Sequence, residues 1–327
     1  MSKHPATSSI PDAAVGSHVD GRVVRSTGHW IDVRVHDRTI PSRVRGKFRL
    51  DDTDVTNPVA VGDRVTLRIN EDGTGLITEI HERDNKLSRR AAGHRTGREH
   101  VIAANIDGAW GVQSVRFPKL NTGFIDRFLV MAEVYEIPAR LIFNKMDLAD
   151  EDDRALVDEL TALYEDLGYP VHHTSATEET GIDDLRAALA DQVNLLTGPS
   201  GTGKSTLLNA LQPGLEIETG AVSEKTHKGR HTTTAAALHP LDVGGYVVDT
   251  PGIREFGVLD LAPDELAFFF VDFLPYHNDC QFYDCIHDHE PGCAVKQAVE
   301  DGAISKRRHE SYLNMLESLR SGDETAH

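Results

Sequence analysis

The stretch "LLTGPSGTGKSTLLNAL", residues 195–211, constrains this chain more than any other, because of where it falls. Gly198, Pro199, Ser200, Gly201, Thr202, Gly203, Lys204 and Ser205 fit the pattern G-x-x-x-x-G-K-[ST]. In that pattern the glycines let backbone N–H groups converge on phosphate oxygens, beside the positive N-terminus of the following helix. The context fits: "VNLL" before the loop reads as a strand and "STLLNAL" after it as a helix. The alternative is an ordinary glycine-rich turn between strand and helix. Lys204 would reach the β and γ phosphates of a nucleotide, and Ser205 would hold Mg²⁺ through its hydroxyl. Such loops normally open a nucleotide-binding domain, yet this one lies almost two-thirds of the way along 327 residues.

The choice between ATP and GTP falls to a segment that comes earlier, Asn144-Lys145-Met146-Asp147. Guanine presents two N–H donors on one edge, and the carboxylate of Asp147 would accept both. Adenine would leave that carboxylate unpaired, which is the source of large discrimination ratios. Asn144 would bridge base and phosphate loop, and the stem of Lys145 would cover the ring face. About thirty residues further on, in "TSA" at 174–176, the backbone N–H of Ala176 would donate to guanine O6. Asp249-Thr-Pro-Gly252 follows the strand "YVV". Asp249 would hold Mg²⁺ through water, and the N–H of Gly252 would meet the γ-phosphate. In "KGRHTTT" (228–234) Thr233, with Thr232 close behind, would complete the Mg²⁺ shell.

Base-reading elements therefore precede phosphate-reading elements. In a parallel α/β sheet all these loops leave the carboxyl ends of strands, so a ligand meets one shared edge whatever the chain order. A circular permutation, with residues 190–194 as the new join, reconciles the two. One group is missing. Well-known GTPases place a glutamine after D-x-x-G to orient the attacking water, and here that position is Ile253. His231, titratable and in the other switch segment, is the nearest substitute; the alternative is a solvated loop histidine. Intrinsic hydrolysis is then expected to be slow, and a macromolecular partner would accelerate it by as much as roughly a hundred-thousand-fold.

Cysteine is scarce and clustered. The three cysteines, Cys280, Cys285 and Cys293, surround His287 within fourteen residues. Three thiolates and one imidazole form a closed tetrahedral set for one structural Zn²⁺ per chain. Free thiols or a redox pair are the alternatives, and His277 and His289 lie near enough to compete as ligands, though the spacing favours His287. An odd cysteine count without a secretion signal fits a reducing, cytoplasmic setting. No apolar run is long enough to cross a bilayer. The net charge of −18 excludes a uniformly basic nucleic-acid binder, but residues 19–50 hold eight Arg/Lys against three Asp, a local net charge of +5.

Pattern divides the chain as follows. Residues 1–18 are a polar tail expected to be disordered. Residues 19–83 carry closely spaced short strands, as in a small β-barrel of the oligonucleotide-binding (OB) or SH3-like kind, which pattern alone does not separate. Residues 84–100 are a polar, basic connector. Residues 101–262 alternate strands and helices, as a parallel sheet requires. Residues 263–327 are mainly helical around the Cys/His cluster.

In combination, "AANID", "NKMDL", "GPSGTGKSTLLNAL", "GRHTTT", "DTPGIREFG" and C-x4-C-x-H-x5-C with "EPGCAV" resemble the RsgA/YjeQ family of circularly permuted GTPases, from about residue 20 to 318. The resemblance implies an N-terminal OB-type barrel, a permuted α/β P-loop GTPase domain and a zinc-binding C-terminal domain. It implies GTP hydrolysis to GDP stimulated by the small ribosomal subunit, a late checkpoint in assembly of that subunit, and rRNA contacts from the flanking domains. Separately, the chain is expected to be a monomer without membrane attachment. The resemblance extends the nucleotide-binding roles to Ser175 and Thr206 and assigns the zinc to Cys280, Cys285, His287 and Cys293. The competing expectation is a regulatory RNA- or protein-binding module that holds GTP as a switch ligand with negligible turnover. A third is an ATPase with a zinc-stabilised domain.

Overall fold

Strict alternation governs the first strands, and burial follows it. In β2 (Trp30–Val35), Ile31, Val33 and Val35 are buried while Trp30, Asp32 and Arg34 are only partly covered, the period of a sheet with one face on a core. The structure, a computed structural model, describes residues 15–27, 30–46, 57–90, 99–215, 236–249 and 261–321. The tail at 1–14, Lys47, Arg49, residues 91–98 of the connector, the segment 228–234 with His231, Thr232 and Thr233, and Gly252 and Ile253 lie outside the described residues. The chain divides into two units. One holds Met1–Asp107, Asp191–Leu195 and Ile217–Pro251, the other Gly108–Ala190, Leu196–Glu216 and Gly252–His327.

In the first unit, β1 (His18–Thr27) pairs antiparallel with β2, and β2 with β3 (Arg38–Val44). β3 runs parallel to β5 (Gly75–Ile80), β5 antiparallel to β4 (Arg64–Ile69), and β4 antiparallel to β1. The ring closes because β1 serves two neighbours: residues 18–22 pair with β4, and residues from 22 onward with β2 across a register shift between Val23 and Arg25. Such a shift bends a strand, as barrel closure requires. Val23, Ile31, Val33, Val35, Ile40, Val65, Leu67, Ile69 and Ile77 fill the interior. A closed five-stranded barrel containing a parallel pair is the OB arrangement, which settles the OB-or-SH3 choice that pattern left open.

The connector region differs from its reading as a plain link. β6 (Lys86–Arg90) and β7 (Glu99–Ala104) form an antiparallel ribbon, and the Asn57 side chain exchanges two hydrogen bonds with the Val101 backbone (2.8 and 3.1 Å). Polar composition hides β6 and the first residues of β7, whereas the apolar part of β7 from Val101 on falls in the segment that reads as strand. Also in this unit, β12 (Ala237–Pro240) and β13 (Tyr246–Asp249) make an antiparallel pair, and the first residues of β11 (Val193–Thr197) run parallel to β13.

In the second unit β8 (Gly108–Ser114), β9 (Ala139–Asn144) and β10 (Val171–His173) are parallel neighbours. Every residue of β8 is buried, as expected for a parallel strand covered on both faces. Gly111 is required there, since a Cβ would come within 2.7 Å of the Phe128 ring. Phe128 belongs to α1 (Thr122–Val134), whose N-cap Asn121 accepts from the Phe124 N–H. α2 (Glu151–Asp166) opens on a reciprocal Asp150/Asp153 capping box and buries Val157, Leu160 and Tyr164 along one stripe. α3 (Ile182–Leu189) leads through the short predicted join at 190–194 into β11, and α4 (Lys204–Leu211) follows the phosphate-loop motif. The chain then turns helical, with α5 (Leu274–His277), α6 (Ala294–Glu300) and α7 (Lys306–Ser321). Phe270, Phe273, Tyr312, Met315 and Leu316 pack there with Cys285, Cys293 and Val130 of α1.

A buried ion network ties these helices to the parallel strands' own helices. Arg308 of α7, 1% exposed, donates to Asp126 of α1 (2.8 Å) and bidentately to Asp272 (2.8 and 3.2 Å). Tyr164 of α2 donates to the same Asp126 oxygen at 2.9 Å. Burial alone would lower the Arg308 pKa; the carboxylates of Asp126 and Asp272 reverse this and hold it above the ordinary range. Among the described residues no helix is long and apolar enough to cross a membrane.

Candidate functional site

The carboxyl ends of β8, β9 and β10 deliver three loops to one edge. Register sets the arrangement: Ser114 of β8 lies opposite Asn144 of β9, and Phe143 opposite His173 of β10. Asn144 is therefore the last residue of the middle strand, with a neighbour on each side. It is 1% exposed. Its Nδ2 donates to the Thr202 carbonyl in the phosphate-loop motif (3.0 Å), and its Oδ1 accepts from the Thr174 hydroxyl (3.0 Å). One amide thus ties the N-K-M-D, T-S-A and G-x-x-x-x-G-K-S segments together, with donor and acceptor both satisfied.

The loop itself depends on close backbone approach. Gly198 has φ 153°, and a Cβ there would lie 2.2 Å from the Val112 carbonyl oxygen. Gly203 has φ 91° and caps α4; a Cβ there would lie 2.5 Å from Asn144 Nδ2. Only glycine fits either position. The Thr202 hydroxyl donates to the Pro199 carbonyl (3.1 Å). The Lys204 ammonium donates to the carbonyls of Gly198 (2.6 Å) and Pro199 (2.8 Å), and its burial lowers its pKa. Ser200, Gly201, Ser205 and Thr206 are exposed, whereas Leu207, Leu208 and Leu211 turn the opposite face of α4 inward.

On the base-reading side, Lys145 adopts the left-handed conformation (φ 64°). Its ammonium donates to the Gly201 carbonyl (2.7 Å) and to the Phe117 carbonyl. Asp147 accepts from the Ser175 hydroxyl on one carboxylate oxygen (2.6 Å) and from Thr177 on the other (3.4 Å). Ser175 also accepts from the Glu178 N–H, and its backbone pairs both ways with Thr180, so the turn carrying Ala176 is closed. Asp249 ends β13 in the other unit, its carboxylate 3.6 Å from His239. His231, Thr233 and Gly252 are outside the described residues.

Sequence reading passed over two contributors to this corner. Thr177 lies one residue beyond "TSA", and the loop after β8 carries no known motif. Yet Arg116 in that loop pairs with both Asp150 and Asp153 at the start of α2, and Pro118 lies against Gly201. The signal available is the position of "VRFPKL" directly after a wholly buried strand.

The four zinc candidates come together. Their ligand atoms all lie within 4.8 Å of one another. His287 Nδ1 is 3.6 Å from the sulfurs of Cys280 and Cys285 and 3.3 Å from that of Cys293; Cys280 and Cys293 sulfurs are 3.9 Å apart. Zn–S bonds of about 2.3 Å and Zn–N bonds of about 2.0 Å in a tetrahedron require separations of about 3.5–3.8 Å. The donor set and its spacing fit one structural Zn²⁺. Burial pushes the Cys285 thiol up to about 12 and the His287 imidazole down to about 4; a neutral imidazole suits a metal, and a divalent cation would reverse the thiol shift. The N–H groups of Ala294 and Lys296 already point at the Cys280 and Cys293 sulfurs, both at 3.4 Å. The Glu290 carboxylate accepts from the N–H groups of Ile286 and Asp288 (3.2 and 3.0 Å), fixing the turn around His287. His289 is exposed beside Asp288 and outside the set. His277 lies behind His287, not among the four.

A permuted order of nucleotide motifs, an OB-type barrel ahead of them and a Cys₃His cluster after them define a circularly permuted GTPase. The sequence matches the family model described as RsgA GTPase over residues 80–259, and the RsgA N-terminal domain over 20–77. The chain belongs to the RsgA GTPase family and is a GTP-hydrolysing enzyme. It is 45% identical over 303 residues to a protein of Phocaeicola vulgatus named small ribosomal subunit biogenesis GTPase RsgA, covering 92% of this chain and 97% of that one. A protein of the same name from Flavobacterium psychrophilum is 40% identical, covering 91% and 92%. Among solved structures, YjeQ from Thermotoga maritima superposes with a TM-score of 0.79 at 38% identity, covering 93% of this chain and 99% of that one. YloQ, described as a circularly permuted GTPase, gives 0.76 at 29%, covering 96% and 99%.

Proposed function

We propose that this chain acts in biogenesis of the small ribosomal subunit: its GTP form binds the assembling subunit in the cytoplasm, and hydrolysis to GDP and phosphate releases it. The observation that carries the nucleotide part is Asn144, whose buried amide joins the three segments that would read base and phosphates. In this reading Gly198–Thr206 cradle the phosphates, Lys204 neutralises charge on the β and γ oxygens, and Ser205 and Thr233 hold Mg²⁺. Asp249 and Gly252 are assigned to Mg²⁺ and the γ-phosphate from the D-x-x-G motif alone. The Asp147 carboxylate has about four acceptor sites; hydroxyls of Ser175 and Thr177 orient it and leave others for guanine N1–H and N2–H. Ala176 donates to O6, and Lys145, pinned by two carbonyls, covers the ring. His231 orients water where Ile253 supplies no side-chain amide, so turnover without a partner is slow.

The subunit part is supported by the names of the relatives and by the barrel. Arg43 of β3 stacks over the Trp30 ring of β2 (4.3 Å), on the outer face whose strand register also carries Arg34, Asp32 and Arg25; an aromatic ring with arginines suits rRNA phosphates and unpaired bases. The proposed domains are the barrel at 19–83, the connector at 84–100, the permuted GTPase at 101–262 and the zinc-binding region at 263–327, acting as a monomer. The test is GTP turnover by the purified chain with and without purified small subunits, at several salt concentrations. Stimulation that falls with salt is expected. Tight GTP binding with no turnover under any condition would replace this reading with that of a GTP-held regulatory module.

A further inference from the structure

His287 is wholly buried and uses one ring nitrogen, Nδ1, toward the three sulfurs. Its other nitrogen, Nε2, lies 3.0 Å from Nδ1 of His277, and the two rings meet nearly edge-on, at 71°. The protonation pattern follows from the chemistry of the ring. With Nδ1 committed to a metal as a lone-pair donor, the single N–H of neutral His287 must sit on Nε2. It then donates to His277, which must receive it on a bare Nδ1 and carry its own hydrogen on Nε2. Metal-bound histidines ordinarily give this second N–H to a carboxylate, a backbone carbonyl or water, and that partner fixes tautomer and ring orientation. Here the orienting partner is a second imidazole, held in turn by the Phe268 ring at 4.5 Å.

We infer that His277 is a positioning residue for the zinc site: it selects the His287 tautomer and aims its Nδ1 at the ion without touching the ion. This rests on the Cys₃His site binding zinc. The same geometry separates the hydrogen bond from mere packing. His277→Phe keeps a ring against Phe268 and removes the acceptor. His277→Asn removes the ring and restores an acceptor at the same distance from the backbone, since Asn Oδ1 and His Nδ1 are both one bond beyond Cγ.

The experiment is zinc competition between the full-length chain and a chromophoric chelator, for wild type and both variants. His277→Phe should hold zinc about 10–100-fold more weakly, the range for losing such a partner, and His277→Asn should stay within a few-fold of wild type. Long-range nitrogen–proton NMR of the zinc-loaded wild type should show His277 protonated on Nε2 alone. His277→Phe holding zinc as tightly as wild type, or His277→Asn losing as much as His277→Phe, would overturn the assignment while leaving the metal site intact. A wild-type chain that binds no zinc would overturn both.

Discussion

The nucleotide corner and the zinc knuckle are both assembled from motifs, but by opposite means. The knuckle draws its ligands from fourteen consecutive positions, 280–293, and its core holds buried thiols and an imidazole that favour a cation among them. The corner draws on segments near residues 116, 144 and 175, which meet because three parallel strands end at one edge, and on the phosphate loop near 200, tied to them by Asn144 and Lys145. Its contacts are protein to protein: Asn144 to Thr202 and Thr174, Lys145 to Gly201 and Phe117, Ser175 to Asp147. A local site therefore relies on its ion for order, whereas a site built by topology is ordered by the sheet beneath it.

Removing zinc should break the symmetry between them most forcefully. Structural zinc contributes about 10–16 kcal/mol in small zinc modules. Chelation, or Cys293→Ser, should therefore cost on the order of ten kcal/mol locally and open the helices after residue 261. Hydrogen exchange should rise steeply over 270–300 while the amides of β8 and β9 stay protected, and GTP should still bind. Loss of GTP binding in step with zinc loss would show that the corner is not self-supporting.

The Arg308 network is where the comparison can be sharpened, since it joins α7 to α1 and α2. Arg308→Ala would strand two buried carboxylates, Asp126 and Asp272. Breaking one side of a buried pair typically costs about 3–5 kcal/mol. Denaturant unfolding should show a loss of that size, with zinc content unchanged. A change under about 1 kcal/mol would mean that the carboxylates find water or protons, and that the helices are joined chiefly through the apolar cluster of Phe270, Phe273 and Tyr312.

These two features also mark how far sequence reading reaches. Cys280, Cys285, His287 and Cys293 were legible because metal chemistry fixes both residue type and short spacing. The convergence of Asn144, Lys145 and Asp147 on the phosphate loop and the Ser175 turn follows from the shared carboxyl edge of parallel strands, which the permuted motif order already implied. Strand alternation alone does not separate OB from SH3-like, because the difference turns on one parallel pairing, β3 with β5, that alternation does not encode; the motif resemblance supplied the OB expectation that this pairing bears out. Asp126 and Arg308 were invisible for a related reason: each looks like a solvated charge on its own helix, and only packing 182 residues apart in sequence makes them a pair. By spacing His277 is a rival ligand, because spacing gives proximity but not which ring nitrogen faces which neighbour.

The smallest change tests the corner at one atom. Asp147→Asn replaces an oxygen acceptor by an NH₂ donor in a group already oriented by Ser175 and Thr177. If the carboxylate reads guanine, the amide loses at least one of two hydrogen bonds and sets a donor against a donor, for about 2–3 kcal/mol, or roughly 30- to 150-fold weaker GTP binding. Xanthine carries a carbonyl where guanine carries its amino group, so the same variant should bind xanthosine triphosphate better than wild type does. Folding should barely change, because an asparagine can still accept from Ser175. Competition of both nucleotides against a fluorescent GDP analogue measures this directly. Weakening toward both nucleotides alike would mean that Asp147 merely braces the Ser175 turn, and base recognition would then have to come from the backbone around Ala176.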